Sequence, residues 1–357
     1  MNSTLHCYSF HSVKGGVGKS TLSTLTACAL AKEHPEARVY LVDMDLTGTS
    51  LADVLPLEAP YWNELGPDEP IDLLKSPDGF LARLDSRSRI ERRREPRDDP
   101  KQVIGVPFLN DYLLFEPKVW DREHDIQPAA IAWRMADGPD NLRVFPSSAL
   151  PRDLMRALPV IYDEEHAAFL EGRLEYLLAA ITLDEKESFV VFDTPPTIPG
   201  LSHSILNLAF RLSHETKIPL AEDGFVPYGL EEAFVDWSVR IVATQDMQDI
   251  RAAARWLEWV QQQDLPLVRL VINRAWSQQQ QREDHFRRAL RDPSKNSENS
   301  DDEFAALENP NPILSNPIWI EEQGTMQEIF RSESAPQWVE RFLDRLTGDN
   351  DAALGGM

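Results

Sequence analysis

Val13-Lys14-Gly15-Gly16-Val17-Gly18-Lys19-Ser20-Thr21 stands between an apolar run, 5–10 (LHCYSF), and an apolar-periodic stretch, 20–32. The run reads as a strand and the stretch as a helix. Glycines let a backbone turn where other residues cannot, so successive N–H groups can converge on one concavity. Gly15, Gly16, Val17 and Gly18 would form that cradle, and the positive end of the helix beginning at Ser20 and Thr21 would close it. Such a cradle favours phosphate. Lys19 would reach the β- and γ-phosphates, and the Ser20 hydroxyl would ligate Mg²⁺, a hard cation that takes few protein ligands.

Moving outward, 38–43 (RVYLVD) is an apolar run ending on a carboxylate, as a buried parallel strand would. Strand, loop, helix and strand make a βαβ opening. The same pattern recurs at 188–193 (SFVVFD), where Pro195 and Pro196 stop the strand. A further strand, helix and strand are expected at 238–243, 246–263 and 267–273, and a last short strand at 318–321. Another strand is expected at 141–145, a helix at about 164–180, and a strand at 112–115. Strands alternating with helices predict an α/β fold with a mostly parallel, doubly wound sheet covered on both faces.

Carboxylates gather at the strand ends. Asp43 and Asp45 follow the second strand in VDMDLTGTS, and Asp193 opens Asp193-Thr194-Pro195-Pro196. In open α/β sheets ligands bind at the carboxyl ends of strands. An acid there can hold Mg²⁺ through water or orient a nucleophile. Asn273 and Arg274 end the strand LVRLVIN, where an amide offers both a donor and an acceptor to a base edge.

KGGVGKS, residues 14–20, resembles the KGGxGK[ST] signature of the ParA/MinD/Mrp group of deviant Walker A P-loop ATPases, of the SIMIBI class. The DxD at Asp43 and Asp45, the DTPP at 193–196 and the NLRVFPSS at 141–148 are similar to further segments of that group. Val13 departs from the plain P-loop, which has Gly there. The resemblance implies that Lys14 reaches across a dimer interface to the partner's nucleotide. It also implies that Asp43 and Asp193 help hold the Mg²⁺ shell, that Asp45 positions the attacking water, and that Asn273 with Arg274 meets adenine. ATP is favoured over GTP because the acid of the guanine-reading motif is absent after Asn273. Lys14, Lys19 and Asp45 are thus the expected catalytic residues, with water as the acceptor.

The 357 residues fit one ATPase domain, 1–350, with insertions at about 56–140 and 197–237, a polar loop at about 277–311, and a disordered tail, 351–357. The two long insertions depart from a minimal member of the group. An amphipathic helix is expected at 337–346. Its charge is balanced, so it reads as a packed helix and not as a membrane anchor. No stretch approaches the roughly 20 apolar residues of a membrane span, and a membrane partner is not expected. The first ten residues lack a secretory pattern and two cysteines give no disulfide framework, so a cytoplasmic location is expected.

The formal net charge of −23 does not support DNA binding, although a local basic patch stays open. Cys7 and Cys28 form no C-x-x-C pair, against a metal-cluster carrier. The expected function is a slow ATP-hydrolysing switch, homodimeric when ATP-bound, that regulates or positions a protein partner or is stimulated by one. A ParA-like partition ATPase acting on DNA and a small-molecule ligase or kinase on the same fold are the alternatives.

Overall fold

The computed structural model describes residues 3–46, 51–59, 71–72, 108–114, 128–136, 138–148, 151–161, 164–183, 187–196, 200–214, 217–220, 226–227, 229–261, 267–290 and 317–321. The expected helix at 337–346, the tail, and most of the loop at 277–311 lie outside the described residues.

Strand β1 (Thr4–His11) runs up the middle of a seven-stranded sheet. The glycine loop leaves its end and enters helix α1 (Lys19–Glu33). Strand β2 (Arg38–Asp43) follows. Two small strands, β3 (Leu57–Ala59) and β4 (Ile71–Asp72), pair antiparallel with each other, and β3 also pairs with β5 (Arg134–Met135). Between them lie two short helices, α2 (Leu109–Leu114) and α3 (Pro128–Ile131). The main sheet resumes with β6 (Leu142–Phe145), and helices α4 (Pro151–Ile161) and α5 (Glu164–Thr182) lead to β7 (Glu187–Asp193). Then come α6 (Leu201–Ser213), β8 (Phe234–Thr244), α7 (Met247–Gln261), β9 (Leu267–Ala275), α8 (Gln279–Leu290) and β10 (Ile318–Glu321).

The sheet order is β10-β9-β8-β1-β7-β2-β6, and every pairing in it is parallel. The doubly wound sheet expected from the alternation is therefore present. Side chains alternate between its faces as a two-residue period requires. Leu5, Cys7, Val190, Phe192, Trp237 and Ile241 pack with α5, α6 and α7. Phe10, Phe189, Val191, Val242 and Val271 pack with α1 on the other side. Helix α1 is buried along nearly its whole length, from Leu22 to Ala31. That is why its sequence is small and apolar on most faces and carries no clean amphipathic stripe.

The chain leaves β1 in one direction towards β2 and β6, and later returns past it to β8, β9 and β10. This reversal opens a crevice at the carboxyl end of β1, the place where such sheets bind ligands. All the sequence-picked carboxylates come to that end.

The strand expected at 112–115 is instead helix α2, Leu109–Leu114. A four-residue apolar run cannot by itself tell strand from buried helix. Tertiary contacts decide it: the Leu109 N–H donates to the Pro146 carbonyl (2.9 Å), and the Tyr112 ring lies under the Arg173 guanidinium at 4.2 Å. Helix α4 was not among the expected elements, although it contains two prolines, Pro151 and Pro159. Pro151 sits at its first position, where its missing N–H costs nothing. The stretch 197–237, expected as an insertion, contains α6 and the start of β8.

Candidate functional site

The loop between β1 and α1 holds its two lysines in opposite settings. Lys19 is buried at 7% exposure, whereas the Lys14 side chain is 46% exposed. Gly16 (φ 77°) and Gly18 (φ 92°) take the left-handed backbone that only glycine adopts freely, so the loop's turns depend on them. The Ser12 hydroxyl donates to the Lys14 carbonyl (2.8 Å) and ties the loop's entry. On its far side, the Ser23 and Thr24 hydroxyls donate to the Ser20 carbonyl (3.1 and 2.7 Å). Thr21 is half-buried in the first turn. Gly15 lies against Pro196 of the DTPP loop, so the two loops touch.

Register brings the acids together. Asp43 on β2 sits directly beside Asp193 on β7, and Phe10 of β1 sits beside Asp193. Asp43 is fully buried. Its Oδ2 accepts from the Leu51 N–H (2.8 Å), the Ser147 N–H (3.2 Å) and the Ser147 hydroxyl (2.7 Å), and its Oδ1 accepts from the Asp45 N–H (3.3 Å). Burial, then the neighbouring Asp193, push its carboxyl up to about 7, while the bonds from Leu51 and Ser147 pull the other way. Asp43 therefore fastens the start of the 51–53 turn to the end of β6. Ser147, the middle residue of the Pro-Ser-Ser segment, is thus part of the site.

Asp193 is also buried, at 1% exposure. Burial raises its pKa first, and Lys19, Ser20 and Ser23 draw it back down, with Asp45 close enough to oppose them. Its Oδ1 is buried without a hydrogen-bond partner among the described residues. A buried, unpartnered carboxylate oxygen beside a serine hydroxyl is a hard, all-oxygen donor set, and it fits Mg²⁺. Asp193 and Ser20 are the residues that would hold the ion.

Thr194 locks this loop to β1, donating from its hydroxyl to the Phe10 carbonyl (2.7 Å). Ser202 in the first turn of α6 donates in turn to the Pro195 carbonyl (3.0 Å). Behind the loop lies His11, fully buried, whose Nδ1 is 3.4 Å from the Thr194 hydroxyl and whose ring is 5.6 Å from that of Trp256. Burial and the Lys19 charge lower His11 to about 3, so the imidazole is neutral near pH 7. Sequence reading passed it over because a histidine ending a strand carries no pattern.

Asn273 reaches the site from β9. Its Nδ2 donates to the Val17 carbonyl (2.9 Å), and a Cβ built on Gly18 would collide with that same nitrogen. The amide is thus packed onto the phosphate loop itself. Arg274 is exposed and, at φ 55°, carries the one positive φ outside glycine among the described residues. This left-handed residue lies one before the end of β9, next to Trp276, whose N–H donates to Gln245 Oε1 (2.6 Å).

Lys14 does not hang free. Its ammonium is 2.6 Å from Asp249 Oδ1 in the first turn of α7. The hydrogen bond to Asp249 raises the Lys14 pKa. Thr244, at the end of β8, donates to the other Asp249 oxygen and fixes the acid in place. Nothing in the sequence marked Asp249.

Residues 4–72 match the family model named ParA, described as the NUBPL iron-transfer P-loop NTPase. That span holds the loop, both lysines, Asp43 and Asp45. Over those residues the chain is similar to ParA-type P-loop NTPases. Among solved structures, a putative plasmid partition protein from Borrelia burgdorferi bound to AMPPNP is 14% identical, covers 98% of this chain and 100% of its own, and has a TM-score of 0.48. Cobyrinic acid a,c-diamide synthase from Mycobacterium smegmatis with ADP and magnesium is 18% identical over 84% of this chain and 83% of its own, with a TM-score of 0.43. The septum site-determining protein MinD from Pyrococcus horikoshii with Mg-ADP is 12% identical over 79% and 77%, with a TM-score of 0.40. With each of these scores below 0.5, the superpositions carry no argument, and the likeness rests on residues 4–72. The cysteines do not form a thiolate pair: Cys7 and Cys28 are both buried, and burial pushes Cys28 up to about 12.

Proposed function

We propose that this chain is an ATP-binding, slowly hydrolysing switch that forms a homodimer with ATP held between the subunits. The observation that carries the reading is the opposed placement of the two loop lysines. Lys19 is buried among the acids of its own site, and Lys14 stands at the exposed tip of the same loop. A lysine so placed is available to a nucleotide held by a second copy. In the single chain it rests on Asp249, and this pair would be exchanged for phosphate when the dimer forms.

In the proposed chemistry the loop N–H groups and Lys19 hold the β- and γ-phosphates. Lys14 of the partner subunit adds positive charge where it develops, and Asp45 orients the attacking water. Asp193 and Ser20 hold Mg²⁺, which neutralises phosphate charge when bound; Asp43 orders the loop that carries Asp45. Asn273 keeps the phosphate loop in shape and, with Arg274, borders the base. A protein partner would be the natural regulator. The acidic balance, −23, sets DNA binding behind that reading.

Light scattering with ADP and with ATP tests the proposal, using an Asp45→Ala protein to block turnover. ATP should double the mass, and adding Lys14→Ala should abolish the doubling without abolishing ATP binding. An unchanged mass in the presence of proven ATP binding would remove the switched dimer from consideration. Salt-sensitive, ATP-dependent DNA binding would move the assignment to a partition ATPase.

A further inference from the structure

A second cluster of metal-binding side chains lies at the opposite end of the sheet. His34, Glu36 and Glu187 each offer one ligand atom, and these atoms all fall within 4.8 Å of one another. Helix α1 spans the gap between the two sites, and its 15 residues amount to roughly 22 Å. The cluster is therefore separate from the nucleotide.

The backbone around it is fixed. His34 caps the end of α1, its N–H donating to the Leu30 carbonyl (2.9 Å). The side chain of Asn141 donates to the carbonyls of Ala31, His34 and Ala37 (2.9–3.0 Å), pinning the turn that carries His34 and Glu36. Glu187 opens β7 and pairs with Thr4 of β1. The buried Phe189, two residues on, packs against the His34 ring (centroids 4.4 Å) and stacks with the His6 ring (4.9 Å). Both imidazoles are thus braced on one wall.

His6 adds a fourth group. Its Nε2 is 3.3 Å from Glu187 Oε1, and its Nδ1 is 3.5 Å from Asp236 Oδ2. An imidazole with a carboxylate behind one nitrogen and a ligand carboxylate before the other has the arrangement of a metal-bound histidine with its supporting acid. When Nδ1–H is donated to Asp236, Nε2 is left to bind a cation beside Glu187.

We infer that His34, Glu36 and Glu187, with His6 beside Glu187 and Asp236 behind it, form a binding site for a zinc-class divalent cation. Imidazole in the donor set selects Zn²⁺ over Mg²⁺ or Ca²⁺, which take oxygen. Bonds of ~2.1 Å place tetrahedral ligands ~3.4 Å apart, so side-chain movements of about an ångström close the site. Two glutamates and neutral imidazoles give a balanced charge for one dication. Bound there, the ion would clip the end of α1 to the starts of β1 and β7.

The test is calorimetric titration of the full-length, metal-stripped protein with ZnCl₂, in saturating Mg²⁺ and ADP so that the phosphate loop is filled. One Zn²⁺ per chain is expected. Its affinity should fall roughly 10- to 100-fold in Asp236→Asn, and further in His34→Gln and in Glu36→Gln, whose side chain is exposed. Visible absorption of bound Co²⁺ should show four-coordinate bands that vanish with His34→Gln. ADP affinity and the melting point without zinc should match the parent, which separates ligand loss from unfolding. Absent saturable Zn²⁺ binding, or an equivalent retained undiminished by both His34→Gln and Glu36→Gln, would overturn the assignment.

Discussion

At the scale of single residues, the phosphate loop depends on contacts from distant parts of the chain. The Val17 carbonyl is satisfied by Asn273, 256 positions away. Asn273→Ala leaves that acceptor buried and unpaired, a loss of about 1–3 kcal/mol. Weaker ADP binding and a lower midpoint in urea should accompany it. Gly18→Ala is expected to be worse, because the new methyl meets the Asn273 amide and the backbone sits at φ 92°. Calorimetry with ADP should detect no binding by that variant. Asp249→Asn acts in the opposite sense. It removes the anion that raises the Lys14 pKa and holds its ammonium. The ATP-bound dimer should then form at lower protein concentration, read by light scattering.

Among the elements, α5 and α6 are joined by a buried ionic cluster. Arg211 of α6 meets Glu175 Oε1 of α5 and is 3.5 Å from Glu171 Oε2; Asn207 also donates to Glu171 (3.2 Å). The three charged side chains are each less than a tenth exposed. Burial raises both glutamates, and Arg211 opposes that rise. Arg211→Met should cost about 3–5 kcal/mol, since it strands two acids in the interior. Urea unfolding measures it. Because Ser202 at the other end of α6 holds the Pro195 carbonyl, a loosened α6 should also weaken ADP binding.

For the whole molecule, stability in acid is tied to His11. The unfolded imidazole takes a proton near pH 6.5, whereas the folded one resists until about 3. Between those values the unfolded chain binds more protons, so stability falls as the pH falls. The loss attributable to this one group is on the order of a few kcal/mol. His11→Gln does not titrate, and its unfolding free energy should drop less between pH 7 and pH 4 than that of the parent.

KGGVGKS, the carboxylates closing RVYLVD and SFVVFD, and the alternation of strands with helices were enough to read the parallel sheet and the glycine loop at the end of its central strand. Those features are local: a glycine's torsional freedom, a helix's first turn and a two-residue period are set by neighbours in the chain. The partnerships were not legible. Nothing near Lys14 in sequence names Asp249, nothing near Asp43 names Ser147, and nothing near Val17 names Asn273. The run at 112–115 turned helical because Pro146 and Arg173 met it there. His6, the turn carrying His34 and Glu36, and Glu187 lie on three separate segments and share no motif spacing. Strand register placed His6 and Glu187 on adjacent strands, and Asn141 pinned the turn between α1 and β2 beside them. Short-range sterics are written in the order of residues, whereas burial, paired charges and converging ligands arise only when distant segments are packed against one another.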